Sequence, residues 1–150
     1  MTYRPLDDRR QARAQTRLPN RERIEQLLAR ASYLPELDRL LFEQSLQAHM
    51  THQKLAVLHQ VSVHALRRKL CRIRQTLQDP CFLVAAQWSQ RIPPAMRDLA
   101  RGHFVEGLTL RQCAARHSQS LHRVRQAVTM VRSVLVLTQN QNAPLDEVEV

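Results

Sequence analysis

Two clusters of basic and amide side chains in this sequence have the chemistry to bind phosphate and to read the edges of bases. Arginine forks onto guanine O6 and N7, and glutamine pairs with adenine N6 and N7. Each cluster follows a serine suited to begin a helix, and helical spacing would place its members on an exposed face. The first cluster is His64, Arg67, Arg68 and Arg72, and the second is His122, Arg123, Arg125 and Gln126.

The two clusters occupy equivalent places in an internal repeat. Residues 92–135 repeat residues 34–77 without a gap, so the offset between copies is 58 positions. Prolines, helix-capping residues and apolar positions stay in register over this length, which chance would not maintain. Matched pairs include Pro35 with Pro93, Ala56 with Ala114, His59 with His117 and Leu77 with Leu135.

Each copy predicts three helices. The first opens after a proline, the short second begins at a threonine cap, and the longer third begins at a serine cap. The caps are Thr51 and Ser62 in the first copy and Thr109 and Ser120 in the second. The pattern predicts two tandem helix-turn-helix units, whose third helices would enter the major groove of DNA. Because helix starts present backbone N–H groups to phosphate, the four capping residues are also predicted DNA contacts.

The composition favours an all-α protein. Hydrophobic residues are 43% of the 150-residue chain, and only two glycines and few aromatic residues argue against β-sandwiches and barrels. The 23 Lys and Arg residues exceed the 13 Asp and Glu residues, which gives a net charge of +10. Such a charge is typical of nucleic-acid-binding proteins, and it is shared by ribosomal proteins and membrane-surface peptides.

Charge and patterning also divide the chain into five segments. Residues 1–19 form a basic arm, which we expect either to follow a DNA backbone or minor groove or to be a solvated tail. The first unit with its leading helix spans 20–78, and the second unit spans 92–138. A linker helix is predicted within 79–91, and a flexible acidic tail over 139–150.

The cysteines and histidines do not predict a metal or catalytic site. Cys71, Cys81 and Cys113 are odd in number and lack close pairing, so we expect reduced, helix-packed thiols of an intracellular protein. The sequence lacks zinc-ligand spacing, a glycine-rich phosphate loop, a nucleophile elbow and an apolar stretch long enough to cross a bilayer. We therefore expect a cytoplasmic, nucleoid-associated protein that is not an enzyme and needs no cofactor.

The second copy resembles a known family. Leu-Ala-Arg-Gly at 99–102, Val-Glu-Gly at 105–107 and Val-x-Gln-Ala-Val-x-x-Val at 124–131 are similar to the helix-turn-helix of TrfB/KorA plasmid transcriptional repressors. The resemblance implies operator binding, with Gln126 as a sequence-reading residue. The turn differs, because family members usually have a glycine where this chain has His-Ser-Gln at 117–119. Members also have one such unit and a dimerisation segment, whereas this chain has two units.

The first copy is more similar to region 4 of sigma-70-type factors, which recognises the promoter −35 element. The similarity runs from Leu-Pro-Glu-Leu at 34–37 through Val61 and Ser62 to Arg67 and Arg74. We do not expect a complete sigma factor, because these 150 residues contain no counterpart of the sigma region that melts DNA. Fimbrial regulators of the PapB type are a weaker likeness.

Together these features predict a sequence-specific, double-stranded-DNA-binding transcription regulator that represses a plasmid, phage or mobile-element operon. Its two units would span adjacent major grooves, or it would form a homodimer in which the second unit reads DNA and the first packs or dimerises. The alternative is a protein-interaction module that contacts RNA polymerase, an anti-sigma partner or a co-regulator. RNA binding is less favoured, because stacking on bases needs exposed aromatic side chains.

Overall fold

The computed structural model describes residues 20–141, and within this range all regular structure is helical. The expected all-α class is confirmed for this part of the chain. The helices are α1 (Asn20–Ala31), α2 (Glu36–Ser45), α3 (His52–Leu58), α4 (Val63–Gln78), α5 (Pro80–Gln87), α6 (Pro94–Phe104), α7 (Leu110–Arg116) and α8 (Leu121–Gln141). A 3₁₀ turn, Ser89–Arg91, follows the fifth of these helices.

The helix starts follow the sequence repeat. Helices α2, α3 and α4 begin 58 positions before α6, α7 and α8, respectively. The predicted caps lie immediately before the short and long helices of each copy. The local signals that the sequence repeats therefore produce the same succession of three helices twice.

The turn between the short and the long helix is also the same in both copies. Gln60 and Ser118 adopt the left-handed conformation, with φ of 54° and 50°. The next residue in each copy donates a 3.0 Å hydrogen bond from its backbone N–H to the helix carbonyl five positions earlier, at Ala56 or Ala114. This is the Schellman arrangement. Since neither turn residue is a glycine, each turn retains a conformation that costs about 1–2 kcal/mol for an L-residue.

Helix α5 is a packed element and not only a connection. It contacts α6 and α8, and Phe82, Val84 and Ala85 are buried in the main core. Helix α1 makes the corresponding contacts with α2 and α4 in the first copy. The sequence predicts a linker helix at 79–91. In the structure, the 58-residue offset places α5 opposite α1, as the first helix of a four-helix repeat.

One hydrophobic core joins the two copies. It runs from Phe42, Leu55 and Leu66 in the first copy through Phe82 to Val131 in the second. A smaller cluster, described below, lies inside the second copy. Outside the core, Arg30 Nη1 of α1 donates a 2.7 Å hydrogen bond to the carbonyl of Leu77 and satisfies the end of α4.

Helix α8 continues to Gln141, beyond the expected end of the second unit at residue 138. Thr138 is buried, and its hydroxyl donates to the carbonyl of Val134 while accepting from Arg91 Nη1. The predicted basic arm at 1–19 and residues 142–150 of the predicted acidic tail lie outside the described residues. Within the described range, no helix combines the length and apolar character needed to cross a membrane.

The packing of α5 predicts unequal costs for two substitutions at equivalent repeat positions. Phe82→Ala should lower the free energy of unfolding by about 3–5 kcal/mol, because Phe82 is fully buried. Ile24→Ala, the matched change in α1, should cost about 1 kcal/mol, because Ile24 is already 38% exposed. Urea denaturation followed by circular dichroism measures both, and equal losses would show that α5 is no better packed than α1.

Candidate nucleic-acid interface

All twelve residues predicted to contact DNA are exposed. Four of them cap helices. Thr51 Oγ1 accepts a 3.2 Å hydrogen bond from the N–H of Lys54, and Ser62 Oγ accepts a 3.1 Å bond from the N–H of Ala65. In α3 and α4 the backbone N–H of the third residue therefore already donates to the capping hydroxyl. A phosphate bound at either helix start could accept hydrogen bonds only from the N–H groups of the first two residues.

The second copy has the same caps with one addition. Thr109 Oγ1 accepts from the N–H of Gln112 at 3.2 Å, and the Gln112 side chain accepts from the N–H of Thr109 at 2.9 Å. Ser120 Oγ accepts from the N–H of Arg123 at 3.2 Å. The reciprocal pair is a capping box, which fixes the start of α7 more firmly than that of α3.

The exposed face of α4 carries the first cluster. Its opposite face buries Leu66, Leu70, Ile73 and Leu77. The burial of these four residues turns the cluster to the surface. His64 and Arg67 lie near the start of α4, whereas Arg68 and Arg72 line a cleft of about 510 Å³.

The second copy forms the other wall of this cleft. Residues 105–108, which connect α6 to α7, face α4 together with Gln112. A Cβ atom at Gly107 would lie 3.8 Å from Thr76 Oγ1, so this connection lies against the last turns of α4. The side chains of Arg68 and Arg72 therefore face another part of the same chain and have less room for a DNA duplex than the start of α4 has.

The exposed face of α8 is less enclosed. Arg125 and Gln126 line a shallow groove of about 380 Å³, bounded by Met96 of α6 and by further residues of α8 itself. Both helices that line this groove belong to the second copy. Among the described residues, no part of the first copy lies across from it. His122 and Arg123 lie one turn earlier at the start of the same helix.

The two long helices differ in what supports them. Ala127 is completely buried in α8, in a cluster with Leu99, Cys113 and Val124. Its counterpart in α4 is Lys69, whose Nζ forms a 3.1 Å ion pair with Asp38. The small, buried Ala127 lets α6 pack directly on α8. In the first copy the same position makes a polar contact between α2 and α4 instead.

The predicted DNA-contacting arginines are free of carboxylate partners within residues 21–141. The ion pairs found in that range use Arg21, Arg39, Lys69 and Arg116. Arg67, Arg68, Arg72, Arg123 and Arg125 take part in none of them. Their charges are therefore available to phosphate oxygens or guanine edges.

Gly102 enters the sequence analysis only as the last residue of the Leu-Ala-Arg-Gly stretch, without a packing role, and the structure shows that it lets α7 pack closely on α6. A Cβ atom there would lie 3.1 Å from Cys113 Sγ and 3.3 Å from His117 Nε2. In the first copy the same position is Gln44, whose Oε1 lies 2.8 Å from His59 Nε2. The scarcity of glycine in this chain was the available signal.

The buried cysteines lie in the core. Cys113 Sγ donates a 3.3 Å hydrogen bond to the carbonyl of Leu99, and burial raises the pKa of the Cys113 thiol, with the negative charge of Glu106 adding to the effect. Burial and Asp79 raise the pKa of Cys81 to about 11. Among the described residues, no three His, Cys, Asp or Glu side chains are grouped so that they could hold a metal ion.

No protein-family model, curated protein or solved structure matches this chain. The assignment of a function therefore depends on the geometry and charge of the described residues.

The cysteines should differ in reactivity toward a thiol reagent such as 5,5′-dithiobis(2-nitrobenzoate). Cys71 is exposed on α4 and should react rapidly in the folded protein. Cys81 should react only as the protein unfolds, because it is buried and a pKa near 11 leaves roughly one thiol in a thousand ionised at pH 8. The Cys71→Ser variant should lose the fast phase. A fast phase that remains in the Cys71→Ser variant would contradict the burial of Cys81 and Cys113.

Proposed function

We propose that this protein is a sequence-specific, double-stranded-DNA-binding transcription regulator, and that α8 is the helix that enters the major groove. The main support is the exposed start of α8, where His122, Arg123, Arg125 and Gln126 lie together without a carboxylate partner among the described residues. In this arrangement α7, the turn at Ser118 and α8 act as the helix-turn-helix. The net charge of +10 supplies the long-range attraction to DNA.

The chemistry of the α8 cluster supports base reading. Gln126 can pair bidentately with adenine, and Arg123 and Arg125 can pair with guanine or with phosphate. The buried row of α8 turns these residues outward, and the fully buried Ala127 fixes the helix against α6. A reading helix has to be held rigidly, because small displacements disrupt bidentate hydrogen bonds.

Helix α4 has a different role in this proposal. It supplies electrostatic affinity through Arg67 and Arg68, while the cleft wall at 105–108 restricts how far Arg68 and Arg72 can approach a duplex. Phosphate contacts position a protein without specifying sequence. Each chain therefore has one recognition helix, α8. This differs from the arrangement in which the two units of one chain bind adjacent major grooves.

The resemblance of 99–131 to TrfB/KorA repressors supports repression of a plasmid, phage or mobile-element operon as the biological role. That role depends on the position of the bound site: a protein bound within a promoter excludes RNA polymerase.

A protein-interaction module similar to sigma region 4 is the second candidate. It is favoured by the apolar side chains exposed in the first copy, such as Leu37 and Val57. Such a module would contact RNA polymerase or another regulator and would not need to select a DNA sequence.

Substitutions at the equivalent position of each copy, one in α8 and one in α4, distinguish base recognition from phosphate binding. Duplexes bound by the purified protein are first selected from a random pool. Gln126→Ala should then weaken binding of the selected duplex by about five- to 150-fold while leaving scrambled DNA unaffected. Arg68→Ala, at the equivalent position of α4, should weaken both duplexes alike and reduce the salt dependence by about one counterion. Fluorescence anisotropy across a salt series measures each.

The opposite pattern would contradict this assignment. If Arg68→Ala relaxes sequence preference and Gln126→Ala does not, α4 is the reading helix. If no duplex is enriched and binding disappears uniformly with added salt, the protein does not read sequence, and the protein-interaction module becomes the better account.

A further inference from the structure

The cleft between the two copies has the dimensions of a small-molecule site. Its volume of about 510 Å³ lies within the range of about 300–1,000 Å³ that is typical of ligand pockets. One wall is α4, and the other is the connection at 105–108 with the start of α7. The buried residues Leu34, Ile73 and Val105 give the cleft an apolar part. A ligand bound here would contact both copies.

The cleft contains positive charge that the described part of the chain does not neutralise. Arg68 and Arg72 lie one turn apart on α4, and neither takes part in an ion pair within residues 21–141. Like charges at this spacing repel each other and destabilise a helix. An anion bound between the two guanidinium groups would relieve that repulsion.

The two carboxylates that line the cleft are already engaged by other cations. Asp38 Oδ1 lies 3.1 Å from Lys69 Nζ, and Glu106 accepts a hydrogen bond from Arg116 Nη1. Neither carboxylate can turn toward the two arginines without giving up its present ion pair. The cleft therefore retains two uncompensated positive charges, which are complementary to a dianion.

Neutral hydrogen-bond donors lie beside these charges. Gln112 Oε1 accepts from the N–H of Thr109 in the capping box, which leaves the Gln112 amide NH₂ group to donate to a ligand. The half-buried Thr76 lines the cleft from α4, and its Oγ1 would lie 3.8 Å from a Cβ atom at Gly107. The Thr76 hydroxyl is therefore located where the two walls meet.

The repeat indicates that the arginine and the hydroxyl are not required for folding. At the equivalent positions of α8, Met130 replaces Arg72 and Val134 replaces Thr76. Helix α8 forms with these two apolar residues, and Val134 is buried in the main core. The polar groups of α4 are thus particular to the helix that lines the cleft.

We propose that this cleft binds a small organic phosphate, with the phosphate group between Arg68 and Arg72 and the rest of the molecule against Ile73 and Val105. A phosphate monoester carries nearly two negative charges at neutral pH and offers three acceptor oxygens. It can therefore accept from both planar guanidinium groups at once. A single carboxylate has one charge and is satisfied by one guanidinium group.

Ligand binding would also weaken DNA binding, and this consequence rests on the proposed function, in which Arg68 binds the DNA backbone. A phosphate held by Arg68 withdraws that cation from DNA. Ligand and DNA would then lower each other's affinity by the same factor, as linkage requires. Binding of the ligand to the protein alone does not depend on this coupling.

Heteronuclear NMR of the full chain without DNA tests the site directly. Phenyl phosphate should bind saturably, with a dissociation constant below about 1 mM. It should shift the side-chain signals of Arg68 and Arg72 together with the backbone amides of 105–108. Inorganic phosphate should shift the same arginines with lower affinity, because it lacks an apolar body. Benzoate should bind at least about tenfold more weakly than phenyl phosphate, because it carries less charge.

Matched substitutions on α4 separate the cleft from general attraction to the net charge. Arg72→Met carries the residue of the second copy and should raise the dissociation constant for phenyl phosphate about tenfold or more, because a charge-assisted hydrogen bond is lost. Arg74→Met removes the same charge from an exposed residue outside the cleft lining and should change it less than about twofold. Thr76→Val should raise it about two- to tenfold, as expected for one neutral hydrogen bond.

Four results would each overturn the proposal. They are no saturable binding of either phosphate up to about 10 mM, shifts confined to one wall, benzoate binding as tight as that of phenyl phosphate, and equal losses in the two arginine variants. Circular dichroism verifies folding, and Arg72→Gln replaces Arg72→Met if that variant does not fold. Failure to select a DNA duplex would leave these measurements unaffected, so the two proposals fail separately.

Discussion

The buried row of α8 is the feature on which the rest of the second copy depends. Val124, Ala127, Val128 and Val131 are 0–7% exposed, and helices α5, α6 and α7 all pack against α8. A helix of these residues cannot rotate about its axis without exposing valine to water, which costs roughly 1.5–3 kcal/mol for each side chain. The orientation of Gln126 and its neighbours is a consequence of that burial.

The duplication conserved local geometry and changed surfaces. Both copies keep the threonine and serine caps and a left-handed turn residue, although neither turn contains a glycine. The hydrogen bonds that close the turns stabilise the strained residue in each case. Around this shared frame, Lys69 stands where the second copy has Ala127, and Leu58 stands where it has Arg116. The first exchange leaves α8 packed directly against α6, and the second leaves an apolar side chain exposed on the first copy.

The local parts of the fold could be predicted from the sequence. Prolines, caps and 3.6-residue apolar spacing are signals within a few residues of each other, and they placed the helices α2–α4 and α6–α8. The packing of α5 could not be predicted in this way. When α5 is aligned with α1 at the 58-residue offset, few residues apart from Ile24 and Phe82 are similar, so the repeat is not recognisable there. Its position in the core depends on contacts with α6 and α8, which are tertiary.

The sequence was sufficient to nominate the residues of the candidate site, but it was not sufficient to predict which of them a DNA duplex can reach. Arg68 and Arg72 were predicted to contact DNA together with the basic residues of α8, since the helical pattern places all of them on outward faces. The connection at 105–108 comes to lie opposite α4 only when the two copies pack together, and no local pattern records that contact. The difference between the two long helices is therefore a result of tertiary structure, and it is the reason for assigning sequence reading to α8.

Thiol footprinting at the two helix starts tests this assignment most directly. His64 and His122 occupy the same repeat position and are both exposed, so each can be replaced by cysteine in a Cys71→Ser background. The rate of alkylation by iodoacetamide is measured with and without a selected duplex. We predict that the duplex slows alkylation more in the His122→Cys variant than in the His64→Cys variant, because α8 enters the groove whereas α4 contacts phosphate only. Strong protection of the His64→Cys variant alone, or of neither variant while the duplex is bound, would contradict it.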